Sequence, residues 1–135
     1  MSVETEQTPY SFRKTVPMGY DEAVEYVSEE MKKEGFGVLT KIDVRATLKK
    51  KIDVDFRPYT ILGACNPKHA YHALSMETEI GLMLPCNIIV YVDDEERTVV
   101  SAIDPVASMQ AVNNPALGNT AMEVRSKLKR VIDNL

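Results

Sequence analysis

The sequence predicts an α+β domain, and three observations carry that prediction. Alternating runs such as Tyr10, Phe12 and Val16 stand beside runs with helical spacing such as Tyr20, Val24, Val27 and Met31. Helix-start signals recur as Asn66-Pro67 and Asn114-Pro115, where asparagine caps and proline suits the first helical position. Four acids, Asp93-Asp94-Glu95-Glu96, separate two apolar runs in the manner of a hairpin turn. At 135 residues, 44% hydrophobic and 27% charged, the chain fits one domain of ordinary globular composition. A domain of this size buries roughly two-thirds of the surface its unfolded chain exposes, so it needs no disulfide to fold.

Taken in order, residues 1–7 are polar and acidic, and are expected to be a flexible N-terminus ahead of a single domain at 8–135. Tyr10, Phe12 and Val16 alternate with Ser11, Arg13 and Thr15 in a first strand, with Lys14 in an inward phase and Pro17 as the stop. The helix that follows has Asp21 and Glu22 in its first turn, Lys32 and Lys33 in its last, and Gly35 as terminator. Phe36 to Ile42 reads as a second strand, and Asp43 as the cap of a short helix with Lys49-Lys50-Lys51 at its negative end. Residues 53–57 read as a surface loop, and the run from Tyr59 to Ala64 as a third strand that delivers Cys65.

The helix begun at Asn66-Pro67 fades between Met76 and Glu79. Cys86 to Val92 and Thr98 to Ile103 are the hairpin strands, and Asp104-Pro105 breaks the second of them. A loose segment leads to Asn113. From Leu117 through Ala121, Val124 and Leu128 one apolar face then runs to Leu135. Gly118 inside that helix costs about 1 kcal/mol relative to alanine, and Thr120 to Glu123 offers a capping box as a later start; Leu117, being in phase, favours the earlier one. The resulting order is β-α-β-α-β-α-β-β-α: one mostly antiparallel sheet of about five strands with helices packed on one face. Ile61 to Ala64 and Ile88 to Val92 are apolar in both phases, as in strands covered on both faces, either within the subunit or by a partner.

Sixteen basic against twenty acidic residues, a net charge of −4, argue against affinity for nucleic-acid backbones. The basic groups Lys49 to Lys51 and Arg125, Lys127, Lys129 and Arg130 read as solvated charge complementing helix C-termini. The longest apolar run, Ile88 to Val92, falls far short of the ~20 residues that span a bilayer, and no basic segment leads into an apolar one at the start. A cytoplasmic protein with no nucleic-acid or membrane partner is expected. In that compartment cysteines are free thiols, metal ligands or redox centres before they are structural disulfides.

The two cysteines lie in the settings Ala64-Cys65-Asn66-Pro67 and Pro85-Cys86-Asn87. Cys65 precedes a helix N-terminus, whose partial positive charge favours a thiolate and can lower a thiol pKa from ~8.5. His69 follows four residues later. Adjacent antiparallel pairing of the third and fourth strands would bring Cys65 and Cys86 to one edge of the sheet. Three chemistries then stand open. The thiols are small hydrophobes in a binding site; or Cys65 is a nucleophile or redox thiol, with Cys86 resolving and His69 as acid or base; or Cys65, Cys86 and His69 supply three of four ligands to a metal such as zinc. A disulfide would need Cα atoms within ~7 Å. Asn66 and Asn87 are explained first as a helix cap and a local backbone partner, and second as ligand-orienting groups. Asp104 is a turn residue, and the four-acid turn lacks the spaced ligands of a cation loop.

These residues also form a recognisable set. The run Phe36 to Val44, then Lys49-Lys50-Lys51, Phe56-Arg57-Pro58-Tyr59, Ile61 to Pro67, and Leu84-Pro85-Cys86-Asn87 through Asp104-Pro105, together resemble the family called domain of unknown function 302. The likeness covers nearly the whole chain after the first few residues. It implies a compact α+β domain with a curved antiparallel sheet backed by helices, distantly similar to the TATA-binding protein domain, and it implies homodimers. It brings no established reaction and no cofactor, so no catalytic residue is carried over; Cys65 and Cys86 match positions of the family pattern. The expectation is a non-catalytic homodimeric domain that binds a small ligand or partner near Cys65, Asn66, His69, Cys86 and Asn87, with a thiol enzyme and a metal-binding protein as alternatives.

Overall fold

In the computed structural model, which describes residues 4–135, six antiparallel strands form one sheet in the order β1-β2-β6-β5-β4-β3. They are β1 (Glu6–Gln7), β2 (Ser11–Val16), β3 (Gly37–Asp43), β4 (Tyr59–Cys65), β5 (Cys86–Val92) and β6 (Thr98–Ile103). The sequence predicts five. The sixth is the two-residue β1, which pairs Glu6 with Arg13 and Gln7 with Phe12, a segment too short and polar for alternation to mark. Of the segment 1–7 expected to be flexible, residues 1–3 lie outside the described residues.

The helices are α1 (Tyr20–Lys33), α2 (Val44–Ile52), α3 (Pro67–Met76), α4 (Pro105–Ser108) and α5 (Gly118–Asp133), with 3₁₀ turns at Thr78–Met83, Gln110–Val112 and Pro115–Leu117. Four helices were expected; α4 lies in the stretch read as loose. Its cap explains it, since Asp104 Oδ1 accepts from the Val106 amide at 3.0 Å ahead of Pro105. Asn114 caps the turn Pro115–Leu117 at 3.0 Å, and that turn runs directly into α5, so the earlier start holds as a 3₁₀ entry.

One face of the sheet carries the core. Phe12 and Val16 of β2, Val100 and Ala102 of β6, Ile88 and Val90 of β5, and Leu62 and Ala64 of β4 meet Val24, Val27 and Met31 of α1 and Val124, Leu128, Val131 and Ile132 of α5. The period of two in the strands and of 3.6 in the helices brings these apolar sets together. Lys14, out of place by phase, sits at the edge of this face and donates to the carbonyls of Asp133 and Leu135 at 3.1 and 2.8 Å, at the negative end of α5.

The expected packing of helices on one face holds for α1 and α5 but not for all. No residue of α2 is buried, and every residue of β3 is exposed. Instead of joining the main core, α3 and the turn after it carry a separate small cluster of Ala73, Ile80 and Leu117, flanked by Leu84, Met109 and Val112. The seam between the two clusters positions the candidate site.

Candidate functional site

The register of the central strands decides where the two cysteines go. β4 pairs with β5 from Tyr59 opposite Tyr91 to Ala64 opposite Cys86, so Cys65 lies one residue beyond the partner of Cys86. Both remain free thiols. Gly63 and its neighbours allow this close arrangement: a Cβ there would stand 2.2 Å from Thr40 Oγ1 and 2.8 Å from Pro85 Cγ, so only glycine lets β3 and the Leu84-Pro85 segment approach β4.

Asn66 then ties two helices together. Its Oδ1 accepts from the His69 amide at 3.4 Å, capping α3, while its Nδ2 donates to the Glu34 carbonyl at 3.4 Å, at the end of α1. The left-handed Gly35, with φ of 84°, lets the chain turn there, and a Cβ on it would lie 2.9 Å from Asn66 Nδ2.

Between β4, β5, α3 and α5 opens a cavity of about 360 Å³. Phe36, Ala64 and Val124 from the main core form one side, and Ala73, Ile80, Leu84, Met109 and Leu117 from the smaller cluster form the other. Cys65, Asn66, His69 and Cys86 all line it, joined by Thr120. Asn87 does not: it lies in β5 opposite Gly63, exposed, in the phase that alternates with the core-facing Cys86 and Ile88. Four of the five residues singled out from sequence thus share one wall system, and the fifth faces away because a strand alternates.

Burial is the main influence on Cys86, with the neighbouring Cys65 thiol second, and together they push its pKa up to about 11. At neutral pH it is a protonated, half-buried thiol. His69 does not turn to the cysteines for its partner. Its Nε2 lies 3.0 Å from Lys127 Nζ and 3.5 Å from Glu123 Oε2, both on α5. Burial, then the Lys127 ammonium and His72, hold its pKa below the ordinary imidazole value, against the opposing effect of Glu123. Among the described residues no three His, Cys, Asp or Glu side chains gather so as to hold a metal ion, the trio Cys65, Cys86 and His69 included.

Sequence reasoning missed Lys127 and the α5 wall. Lys127 adjoins the buried positions Val124, Leu128 and Val131, which marks it as the border of the apolar face rather than its solvated back. That border position was the available signal. Asp104 and the acidic turn serve locally, Asp104 by pairing with Arg125 at 3.2 Å and Asp93 by accepting from the Glu95 and Arg97 amides. No helix among the described residues is long and apolar enough to cross a membrane.

Comparison with known proteins bears on most of the chain. A family model described as Domain of unknown function DUF302 matches residues 12–135. The chain belongs to the DUF302 family. A solved structure of an uncharacterized conserved DUF302 protein from Bacillus stearothermophilus is 32% identical, with a TM-score of 0.85 over 91% of this chain and 95% of that one. No curated protein matches. The six-stranded architecture therefore belongs to a DUF302 domain with a solved relative that shares most of its length.

Proposed function

We propose that this DUF302 domain is a non-catalytic binding protein that takes a small apolar molecule in the cavity between β4, β5, α3 and α5. The observation that carries the reading is the composition of the wall. Side chains from two separate hydrophobic clusters enclose the space, and a few polar groups, His69, Asn66, Thr120 and the two thiols, converge on it. Ligand pockets are built in this way, and about 360 Å³ falls at the small end of their range of roughly 300–1,000 Å³.

The thiol-enzyme alternative is weaker on the same geometry. A resolving thiol must ionise to attack, and the surroundings of Cys86 hold it protonated at neutral pH. The reading also places the protein in a reducing compartment, where Cys65 and Cys86 stay as thiols. As the second part of the proposal, a second copy of the chain covers the edge formed by β3 and α2, where Leu39, Ile42, Ile52, Val54 and Phe56 are each exposed.

Titration with N-phenyl-1-naphthylamine, an uncharged fluorophore that brightens in apolar surroundings, tests the ligand site. Saturable enhancement at one probe per chain is expected, with loss in Ala70→Phe, which places a ring in the cavity from a partly exposed helix position. Circular dichroism of that variant checks that it folds. Enhancement that does not saturate, or that A70F leaves unchanged, would overturn the proposal.

A further inference from the structure

The cations of α5 divide in an informative way. Arg125 pairs with Asp104 at 3.2 Å, Lys129 with Asp133 at 2.8 Å, and Arg130 with Glu34 at 2.9 Å. Lys127 alone of the four has no carboxylate within 4.0 Å among the described residues; its Nζ lies against His69 Nε2 at 3.0 Å. It is also partly buried, whereas Lys129 and Arg130 are exposed. A partly buried lysine whose closest polar neighbour is an imidazole rather than a carboxylate keeps its charge available to an incoming anion.

The hydrogen-bond chemistry of the pair is one-sided. An ammonium has three donors and no acceptor, so His69 Nε2 must accept from it, which leaves the proton of the neutral ring on Nδ1. The pair therefore offers two remaining ammonium hydrogens and one imidazole N–H, the last polarised by the adjacent cation, and no acceptor. The other polar groups at the wall do not balance this. Asn66 has both ends engaged, by the His69 amide and the Glu34 carbonyl. The nearest acid, Glu123, approaches His69 at 3.5 Å with a side chain that is 66% exposed, where water competes for it.

His69 lines the mostly apolar cavity, and Lys127, which is not itself part of the wall, stands directly behind it against Nε2. We infer that the ligand is an amphiphilic carboxylic acid, its apolar body among Ala73, Ile80, Leu117 and Val124 and its carboxylate at the His69–Lys127 pair. A carboxylate matches the pair in charge, one negative group to one ammonium; Lys68, next to His69 in sequence, is exposed on α3 and does not line the cavity. A neutral ligand would fill the cavity without using that charge.

This inference rests on the cavity being a ligand site, and the test separates the two. Octanoate and octan-1-ol, which share a chain and differ in the head group, are each used to displace N-phenyl-1-naphthylamine from the wild type, Lys127→Met and Lys127→Arg. Expected is a roughly tenfold loss of octanoate affinity in K127M, the size of one charge-assisted hydrogen bond at a half-buried site. K127R should restore most of it, and octan-1-ol should displace the fluorophore equally well from all three. If octanoate weakens no more than the alcohol does in K127M, the head-group assignment falls while the apolar site stands. Failure of the fluorophore itself to bind the wild type would overturn both. Thermal melts of each variant show whether a loss reflects unfolding, and Lys127→Gln provides a second neutral variant should K127M be unstable.

Discussion

At the scale of single residues, Cys86 and His69 show how neighbours rather than residue type set chemistry. Cys86 is flanked by β-strand and core, and its thiol is pushed from an ordinary 9.0 up to about 11. The sign of the resulting pH dependence follows. The unfolded chain releases this proton near the ordinary value and the folded one does not, so the folded state binds more protons between the two. Stability from this group is complete below pH 9 and is lost as pH rises toward 11. Alkylation of Cys86 by iodoacetamide, followed by mass spectrometry across pH, should accordingly rise with a midpoint near 11; a midpoint near 9 would show that the burial does not persist in solution. The sequence marked both cysteines, His69 and Asn66, because caps and proline positions are local. It placed Lys127 among the solvated charges of the last helix, because its contact with His69 depends on α3 and α5 meeting across 58 residues of chain.

At the scale of elements, one side chain joins two helix ends. Asn66 caps α3 and holds the end of α1, and Arg130 of α5 clamps the same stretch through Glu34. Asn66→Ala should lower unfolding free energy in urea by about 1 kcal/mol, the usual worth of a lost cap. Asn66→Asp keeps the capping oxygen but sets a carboxylate against the Glu34 carbonyl, so it should recover only part of that loss. Full recovery in N66D would mean that the contact to α1 contributes nothing. Strands and long helices were legible because their periods persist over many residues. The short elements were not, since α4 rests on the single local cap of Asp104 and the turn Thr78–Met83 on Ile80 entering the smaller cluster, and their sequences carry no period long enough to read. Those unread elements add Ile80, Gly81 and Pro105 to the cavity wall, and the rest of the wall depends on α3 and α5 meeting, so the cysteines could be located while the space they line could not.

At the scale of the whole molecule, the sheet is closed by helices on one side and leaves an exposed strand at its edge. Such an edge, rich in exposed apolar side chains and followed by a helix that buries nothing, is a surface that soluble proteins usually cover. The proposed homodimer predicts a light-scattering mass of twice the chain and its reduction to the chain mass in Ile42→Lys with Ile52→Lys. A wild type that remains at the single-chain mass at high concentration would refute the dimer and leave the ligand site standing, because of the edge residues only Leu39 lines the cavity and Ile42, Ile52, Val54 and Phe56 do not. Apolarity of Ile61 to Ala64 and Ile88 to Val92 in both phases had pointed to cover on both faces, and the sequence could not say which surface would lack it. The cavity at the seam of the two clusters is the feature on which ligand binding depends. Amide and methyl chemical-shift mapping on addition of N-phenyl-1-naphthylamine tests it most directly. Shifts concentrated on Ala70, Ala73, Ile80, Leu117 and Val124 are the predicted result, and shifts confined to the β3 and α2 edge, or absent altogether, would contradict it.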